Sequence, residues 1–218
     1  MQTLKADYTN THEPLVIGYI PTILQTFLGQ TLHRFGLAYP EVAVRFQEMP
    51  PSEQVRALRN GSIDISFMGN PPDELDEEFT VKCVKKVPIA AVLPDTHPLA
   101  HESSINLAQL TSEKFIGMRE ETFPGRNDRI RGVCRCAGFI PNLHLEADSH
   151  ASMIALVAAG QGIAIMPYEA QALPHPQVVF MPIHHPIHHA RSTAMWRKET
   201  PTKSLDKYLK ILFEHIQD

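Results

Sequence analysis

The sequence predicts an α/β fold of two Rossmann-like lobes joined by two crossover strands, and three observations support this prediction. Residues 13–69 and residues 115–166 each read strand, helix, strand, helix, strand, an order typical of parallel α/β units. A long β-rich passage at 79–93 separates these two stretches. A further strand at 193–197, followed by an apolar-striped helix, can carry the chain back to the first lobe. The two crossing strands would form a hinge beside a cleft.

The first lobe begins with a strand at residues 15–19 that is apolar on nearly both faces, as a strand buried in a parallel sheet should be. Thr22, with Gln25 three residues later, predicts a capping box at the start of a helix with apolar residues at helical spacing. A helix that starts just after the carboxyl end of a parallel strand turns its free N–H groups toward the ligand crevice. Such a helix start suits an anion.

The rest of the first half repeats this pattern. A strand is predicted at 42–46, a short helix capped by Ser52 and ended by Gly61 follows, and a third strand covers 63–67. The acidic run 73–78 is interpreted as a solvated loop.

The second half contains a short helix near 105–110 and then the repeated unit. The predicted elements are a strand at 115–118, a helix at 127–137, a strand at 143–147, a helix at 151–159 and a strand at 163–166. These bounds predict a first lobe of residues 13–90 plus 192–218, a second lobe of 91–191, and a loose terminal segment of 1–12.

Composition narrows the function classes. The 218 residues carry a net charge of -4 with an isoelectric point near 6.3, which gives no basic surface for nucleic acid. No apolar run is long enough to span a membrane, and the N-terminus lacks the apolar segment of a signal peptide. We therefore expect a cytoplasmic protein with no membrane partner.

The motifs of common enzymes are missing from the sequence. It contains no dinucleotide-binding glycine pattern, phosphate loop, nucleophile elbow or zinc-protease motif, so we expect neither an enzyme nor a cofactor. Cys134 and Cys136 lie two positions apart on a predicted helix and should point to different faces, as ordinary thiols. Four histidines at 184–189 match no closed zinc pattern. We interpret them as an exposed loop rather than a metal site.

Five segments, in order, resemble the effector-binding domain of LysR-type transcriptional regulators, and the likeness runs from about residue 13 to residue 215. These segments are Pro-Leu-Val-Ile-Gly at 14–18, Glu-Met-x-x-Ser-Glu-Gln-Val-x-Ala-Leu at 48–58, Leu-Arg-Asn-Gly-Ser-Ile-Asp-Ile at 58–65, Leu-Pro-x-x-His-Pro-Leu-Ala at 93–100 and Leu-Val-Ala-Ala-Gly-Gln-Gly-Ile-Ala-Ile-Met-Pro at 156–167. The resemblance implies a fold like that of type II periplasmic binding proteins, with an inducer in the interlobe cleft.

The resemblance also implies which residues hold the effector. Thr22 and Ile23 match the turn that receives a carboxylate, and the apolar body of a small organic acid, with aromatic acids as one class, would lie against the other walls. The implied ligand-binding set is Thr22, Ile23, Pro51, Ser52, Met68, Gly69, Phe123, Ser149 and His150. Other interpretations stay open: Thr22 and Ser52 as helix caps only, Phe123 as lobe core, and His150 as an exposed helix-start residue.

Partners follow from the same resemblance. Family members contact DNA through an N-terminal winged helix-turn-helix, and nothing before Glu13 reads as one, so we expect a regulatory domain without its DNA-binding part. The family pairs these domains as antiparallel homodimers, and as tetramers in the full-length protein. Leu24, Phe27, Leu28 and the apolar helix 153–157 offer more apolar surface than one sheet face needs. The alternative is a solute-binding receptor of a transport system.

Overall fold

The first half of the chain forms a parallel unit around β1. The computed structural model describes residues 13–173, 175–199 and 201–216, so the predicted loose segment 1–12 lies outside the described residues. The elements are β1 (Leu15–Tyr19), α1 (Pro21–Ile23), a π-helical turn (Leu24–Leu28), α2 (Gly29–Ala38), β2 (Val44–Glu48), α3 (Pro51–Arg59) and β3 (Ile65–Gly69). β1 pairs in parallel with β2 and with β3. The predicted order of strands and helices is confirmed, and Gly61 follows α3 with a φ of 75°. The acidic run predicted as a loop contains a 3-10 helix, Asp73–Glu77.

Two long strands cross between the halves. β4 (Phe79–Pro94) pairs with β10 (His189–Arg197) over Phe79–Pro88, and its second part pairs with β8 and β9. β10 also pairs with β3. These are the two crossover strands that the sequence predicted.

The second half repeats the α/β order. Its elements are β5 (Ile105–Asn106), a 3-10 helix (Leu107–Leu110), β6 (Lys114–Met118), α4 (Arg126–Cys136), β7 (Asn142–Ala147), α5 (His150–Ala158), β8 (Ala164–Pro167), a second 3-10 helix (Tyr168–Ala172) and β9 (Val178–His185). One curled sheet has the strand order β2-β1-β3-β10-β4-β9-β5, with β8 also paired to β4, and β6 pairs with β7. Strand β9 was missed, and Pro182 within it weakens the sequence signal.

Each half has its own core. Around β1, the buried side chains of Leu15, Phe35 and Phe67 pack against Tyr208 of α6 (Lys203–Ile216), and the ring centroids of Phe35 and Tyr208 are 5.3 Å apart. The core of the other half consists of Phe115 of β6 and of buried apolar side chains from the neighbouring strands and helices. The fold is therefore bilobed, and the positions 90/91 and 191/192 for the lobe boundaries stay a prediction.

The structure differs from the sequence interpretation at the histidine run and confirms it at the cysteine pair. The histidine run is not simply a loop, because His184 and His185 end β9 and His189 begins β10. Cys134 is buried and Cys136 is exposed on the same helix, as predicted. In the described ranges, no helix is both long enough and apolar enough to cross a membrane.

The apolar residues that the sequence analysis assigned to a dimer surface are used inside the chain. Phe27 and Leu28 are buried in the first core, and Met153 and Val157 are buried in the second. These four side chains therefore add no apolar surface for a dimer, because they are buried in the lobe cores, whereas Leu24 and Leu156 are half-buried.

Candidate functional site

Segments from both lobes converge on one crevice, which we call the interlobe cleft. From the first lobe come Ile20, Thr22 and Ile23 after β1, Pro51 at the start of α3, and Gly69 and Asn70 at the end of β3. The carboxyl ends of parallel strands meet at this edge, where open α/β sheets bind ligands. The second lobe contributes the 123–129 region and the start of α5.

Four adjoining cavities share residues of this cleft, and one of them, of about 360 Å³, lies beside α4 and includes Arg126 and Arg129 in its lining. The charged cavity, of about 40 Å³, is lined in part by Arg126, Arg129, Arg191 and Glu169. The apolar cavity, of about 260 Å³, lies between α3, the loop after β3 and the loop before α4. The α5 cavity, of about 170 Å³, lies at the start of that helix. Phe123 lines the charged, apolar and α5 cavities.

The sequence-predicted residues are distributed over these cavities. Those lining the charged cavity are Thr22, Ile23, Pro51, Gly69, Phe123 and His150. Ser52 and Met68 line the apolar cavity, and Ser149 lines the α5 cavity. The structure therefore brings six of the nine residues to one cavity, and their contact with an effector stays a prediction.

Two predicted helix caps were wrong. The N-cap of the first helix is Ile20, with Pro21 at the first helical position, and the N-cap of α3 is Pro50. Proline favours the first helical position because its φ is already helical and its missing N–H is not needed there. Thr22 and Ser52 therefore lie two residues inside the N-caps.

Ser149 does cap its helix. Its Oγ accepts a hydrogen bond from the backbone N–H of Ser152 at 3.1 Å, and the Oγ of Ser152 accepts one from the N–H of Ser149 at 3.0 Å. This capping box holds the first turn of α5 against the cleft.

Arg126, the first residue of α4, is the central cation of the cleft, and it lines both the charged and the apolar cavities. One guanidinium nitrogen, Nη2, donates to the carbonyl oxygen of Ile165 at 2.8 Å. Its Nε is buried and finds no hydrogen-bond partner among the residues that the structure describes. A buried donor without a partner costs about 1–3 kcal/mol. Burial, followed by repulsion from Arg129, lowers the pKa of Arg126 to about 10, so the side chain remains a cation at neutral pH.

Two further arginines surround this cation. Arg129 donates from Nη2 to the carbonyl oxygen of Pro71 at 3.2 Å, and Arg191 lies 3.6 Å from a carboxylate oxygen of Asp73. Burial, and then the charge of Arg191, lower the pKa of Arg129. Glu169 on the same cavity is paired with a lysine from β4, Lys85. The charged cavity thus holds more positive than negative charge.

His150 is a neutral wall residue. It is only 7% exposed, which makes the interpretation as an exposed helix-start residue wrong. Burial, and then the charge of Arg126, lower the pKa of His150 to about 3. Phe123 is buried in the core of the second lobe and also lines the cleft, so it is both lobe core and cavity wall.

Sequence reasoning missed Arg126, Arg129 and Asn70. The predicted helix began at residue 127, one position late, because Gly125 serves as an N-cap with a left-handed φ of 72°. Arg126 in the segment Phe-Pro-Gly-Arg was the available signal, since a cation at a helix start beside a strand end is unusual. Asn70 has a φ of 43°, and its Oδ1 accepts from the backbone N–H of Arg191 at 3.0 Å.

The lobes touch across the cleft. The backbone N–H of Ser52 donates to the carbonyl oxygen of Thr122 at 3.3 Å. The bond from Arg129 to Pro71 also joins α4 to the loop after β3. Ser52, Pro71 and Arg129 all line the apolar cavity, so these two bonds join the lobes beside that cavity.

Comparisons with known proteins identify the family of the chain. The family model described as LysR substrate binding domain matches residues 9–217. The chain belongs to the LysR substrate-binding domain family. The regulator AlsR of Bacillus subtilis is 30% identical over 159 residues, covering 73% of this chain and 52% of AlsR. BudR of Raoultella terrigena is 27% identical over 180 residues, covering 83% of this chain and 62% of BudR. This LysR-family chain thus spans about half to three-fifths of these relatives.

Solved structures of the LysR family share the fold. The effector-binding domain of BenM with its effector benzoate superposes with a TM-score of 0.79 at 19% identity, covering 94% of this chain and 92% of that domain. The effector-binding domain of QuiR in complex with shikimate gives a TM-score of 0.84 at 18% identity, covering 95% and 98%. The fold is that of LysR effector-binding domains, which resemble type II periplasmic binding proteins.

Proposed function

We propose that the chain is the effector-sensing domain of a LysR-type transcriptional regulator and binds a small organic acid in the interlobe cleft. The observation that carries the proposal is the buried Nε of Arg126, a cationic donor with no partner among the described residues. Buried polar groups in native proteins nearly always have a partner. A ligand carboxylate would supply one.

The cleft chemistry fits a carboxylate. Guanidinium groups bind carboxylates through two parallel hydrogen bonds, which are stronger than neutral ones. Thr22 lines the same cavity and carries the first backbone N–H of α1, since Pro21 has none. Ile23 and Phe123 are apolar walls. The ligands named for the two solved relatives, benzoate and shikimate, are both carboxylates.

Binding would change the balance between lobe arrangements. A bound anion would add contacts across the cleft to those of Ser52 and Arg129, and so favour one relative angle of the lobes. The longer regulator would be a cytoplasmic transcription factor that acts as a homodimer or tetramer. In it, a change in this angle would reposition the DNA-binding domains. Solved relatives include full-length CbnR complexed with its target DNA. The chain itself would neither contact DNA nor catalyse a reaction.

Isothermal titration calorimetry against a panel of carboxylates tests the site. Arg126→Met should weaken binding of the best acid at least tenfold, because the loss of a charge-assisted hydrogen bond costs about 1.5–3 kcal/mol. Arg135→Met is the matched control, since Arg135 lies exposed near the other end of α4. Equal affinity in the Arg126 variant and the wild type would contradict the proposal.

Thr22→Val separates the two ends of the site. If the Thr22 hydroxyl at the start of α1 binds the carboxylate, the affinity of the variant falls several-fold, while its thermal unfolding midpoint stays within a few degrees of the wild type. If only the backbone N–H contributes, affinity is unchanged and the arginines of the cleft, not the Thr22 hydroxyl, are the side-chain anchors.

Light scattering tests the proposed homodimer. The dimer rests on the family resemblance, because the apolar residues first assigned to it are buried within the chain. A monomer at high protein concentration would overturn it.

A further inference from the structure

Arginine side chains lie at the edge of the apolar cavity, next to the charged cavity. Their positive charge favours an anionic ligand. The apolar cavity takes its apolar walls from both lobes: Val55 of α3, Met68 of β3, Leu75 after the two prolines, and Pro124 before α4. At about 260 Å³ it lies just below the roughly 300–1,000 Å³ of typical small-molecule sites. This size matches one ring or a short alkyl chain.

The cations on this cavity are not equivalent. Arg59 is already neutralised, because its Nε and Nη2 bind the carboxylate of Glu78 at 2.8–3.1 Å. Arg126 has the buried Nε without a partner among the described residues, and Arg129 binds only a neutral carbonyl through Nη2 among the hydrogen bonds of the described chain. Net positive charge therefore lies at the side that faces the charged cavity, with the carboxylates of Asp73 and Glu120 offsetting part of the charge of Arg129.

Six residues line both cavities, so an anion held by the arginines is within reach of the apolar walls. They are Pro51, Gly69, Asn70, Phe123, Arg126 and Arg129. The charged cavity, at about 40 Å³, has room for a small anionic group and little more. The body of any larger ligand must lie elsewhere. The cavity beside α4, of about 360 Å³, also includes Arg126 and Arg129, but only the apolar cavity shares Pro51, Gly69 and Phe123 with the charged one as well.

We propose that the effector is an amphiphilic carboxylate whose apolar body fills this apolar cavity while its carboxylate is bound by Arg126 and Arg129. This inference rests on the proposed function and specifies the ligand class of the same cleft. A hydroxylated acid or sugar acid would bind less well in this cavity, because its hydroxyl groups would be buried against Val55, Leu75 and Pro124 without hydrogen-bond partners.

A homologous series of acids tests the proposal on the wild-type protein. Calorimetry would use acetate, butyrate, hexanoate and octanoate, together with benzoate and 3-phenylpropionate. Affinity should rise about three- to fourfold for each added methylene until the cavity is full, since burial of a methylene contributes about 0.8 kcal/mol. The dissociation constant should then stop improving.

Two substitutions of Val55 test whether the apolar body of the acid lies in the apolar cavity. Val55→Phe narrows the cavity and should weaken hexanoate binding at least tenfold while acetate binding stays within twofold. Val55→Ala should shift the best chain length upward. The control is Ile140→Phe, at a residue that is 75% exposed and absent from the four cavity linings.

The outcomes distinguish the two proposals. If no acid binds to the wild type, both fail. If acids bind through Arg126 with an affinity that does not depend on chain length, the proposed function stands and the inference about the apolar cavity is overturned. Unchanged hexanoate affinity in a folded Val55→Phe variant also overturns it.

Discussion

The ring of Phe123 stands edge-on to the imidazole of His150, with 5.2 Å between their centroids and an interplanar angle of 90°. This contact joins the loop before α4 to the first residue of α5, and both rings line the charged cavity. Because the pair is buried, the imidazole contributes shape and polarity to the cleft rather than charge. The positive charge beside it comes from Arg126.

His150 makes the fold sensitive to acid. Its pKa is about 3 in the folded chain and about 6.5 when unfolded, so below pH 6.5 the unfolded state binds the extra proton. Its contribution to stability is complete above pH 6.5 and falls by about 1.4 kcal/mol per pH unit toward pH 3. Urea unfolding at pH 7.5, 5.5 and 4.5 should give a shallower loss for His150→Gln than for the wild type. Identical slopes would contradict this.

Asn127 anchors the helix that presents Arg126. Its Oδ1 accepts from the N–H of Met118 at 2.9 Å, and its Nδ2 donates to the Met118 carbonyl at 2.8 Å and to Glu146 at 3.3 Å. Asn127→Ala leaves two buried backbone groups unpaired and should cost about 3 kcal/mol of unfolding free energy. Denaturant titration checks this against the exposed Asn142→Ala, which should stay near the wild type.

Replacement of Tyr208 by phenylalanine is expected to stabilise the folded protein. Its hydroxyl is buried with no partner among the described residues, and burial raises its pKa above the ordinary value. Tyr208→Phe keeps the ring packed on Phe35 and Phe67 while removing an unpaired polar group. The free energy of unfolding should rise by about 1 kcal/mol. A measured loss of stability would show that the hydroxyl makes a hydrogen bond.

Gly162 is the position where a methyl group should be most harmful. Its φ is 149°, and a Cβ there would lie 2.6 Å from the carbonyl oxygen of Lys114. That contact is against backbone, which cannot move away cheaply, so Gly162→Ala should lower the thermal midpoint by several degrees. Gly132→Ala, inside α4 with no atom within 4 Å of the new methyl group, should be neutral or stabilising. Similar midpoints for the two variants would contradict the packing argument.

Local patterns were enough to predict most of the fold. The apolar strand at 15–19, the glycine stop at Gly61 and the repeated order of strands and helices all depend on neighbours in sequence, and the structure confirms them. The cap predictions at Thr22 and Ser52 failed because a neighbouring proline competes for the helix start. Strand β9 was missed because Pro182, a residue type that is rare inside strands, weakens its sequence pattern.

The candidate site was less predictable because its parts come from both lobes. Six of nine predicted residues line the charged cavity, since the carboxyl ends of parallel strands can be recognised from the chain itself. The sequence by itself determined the two α/β lobes and the sheet edge at which the charged cavity lies. Only the tertiary structure brought Arg126 into the cleft with a buried, unpaired Nε and Arg129 beside it. The strands β4 and β10 connect the two lobes, and burial and charge at a site between them depend on what lies opposite in space.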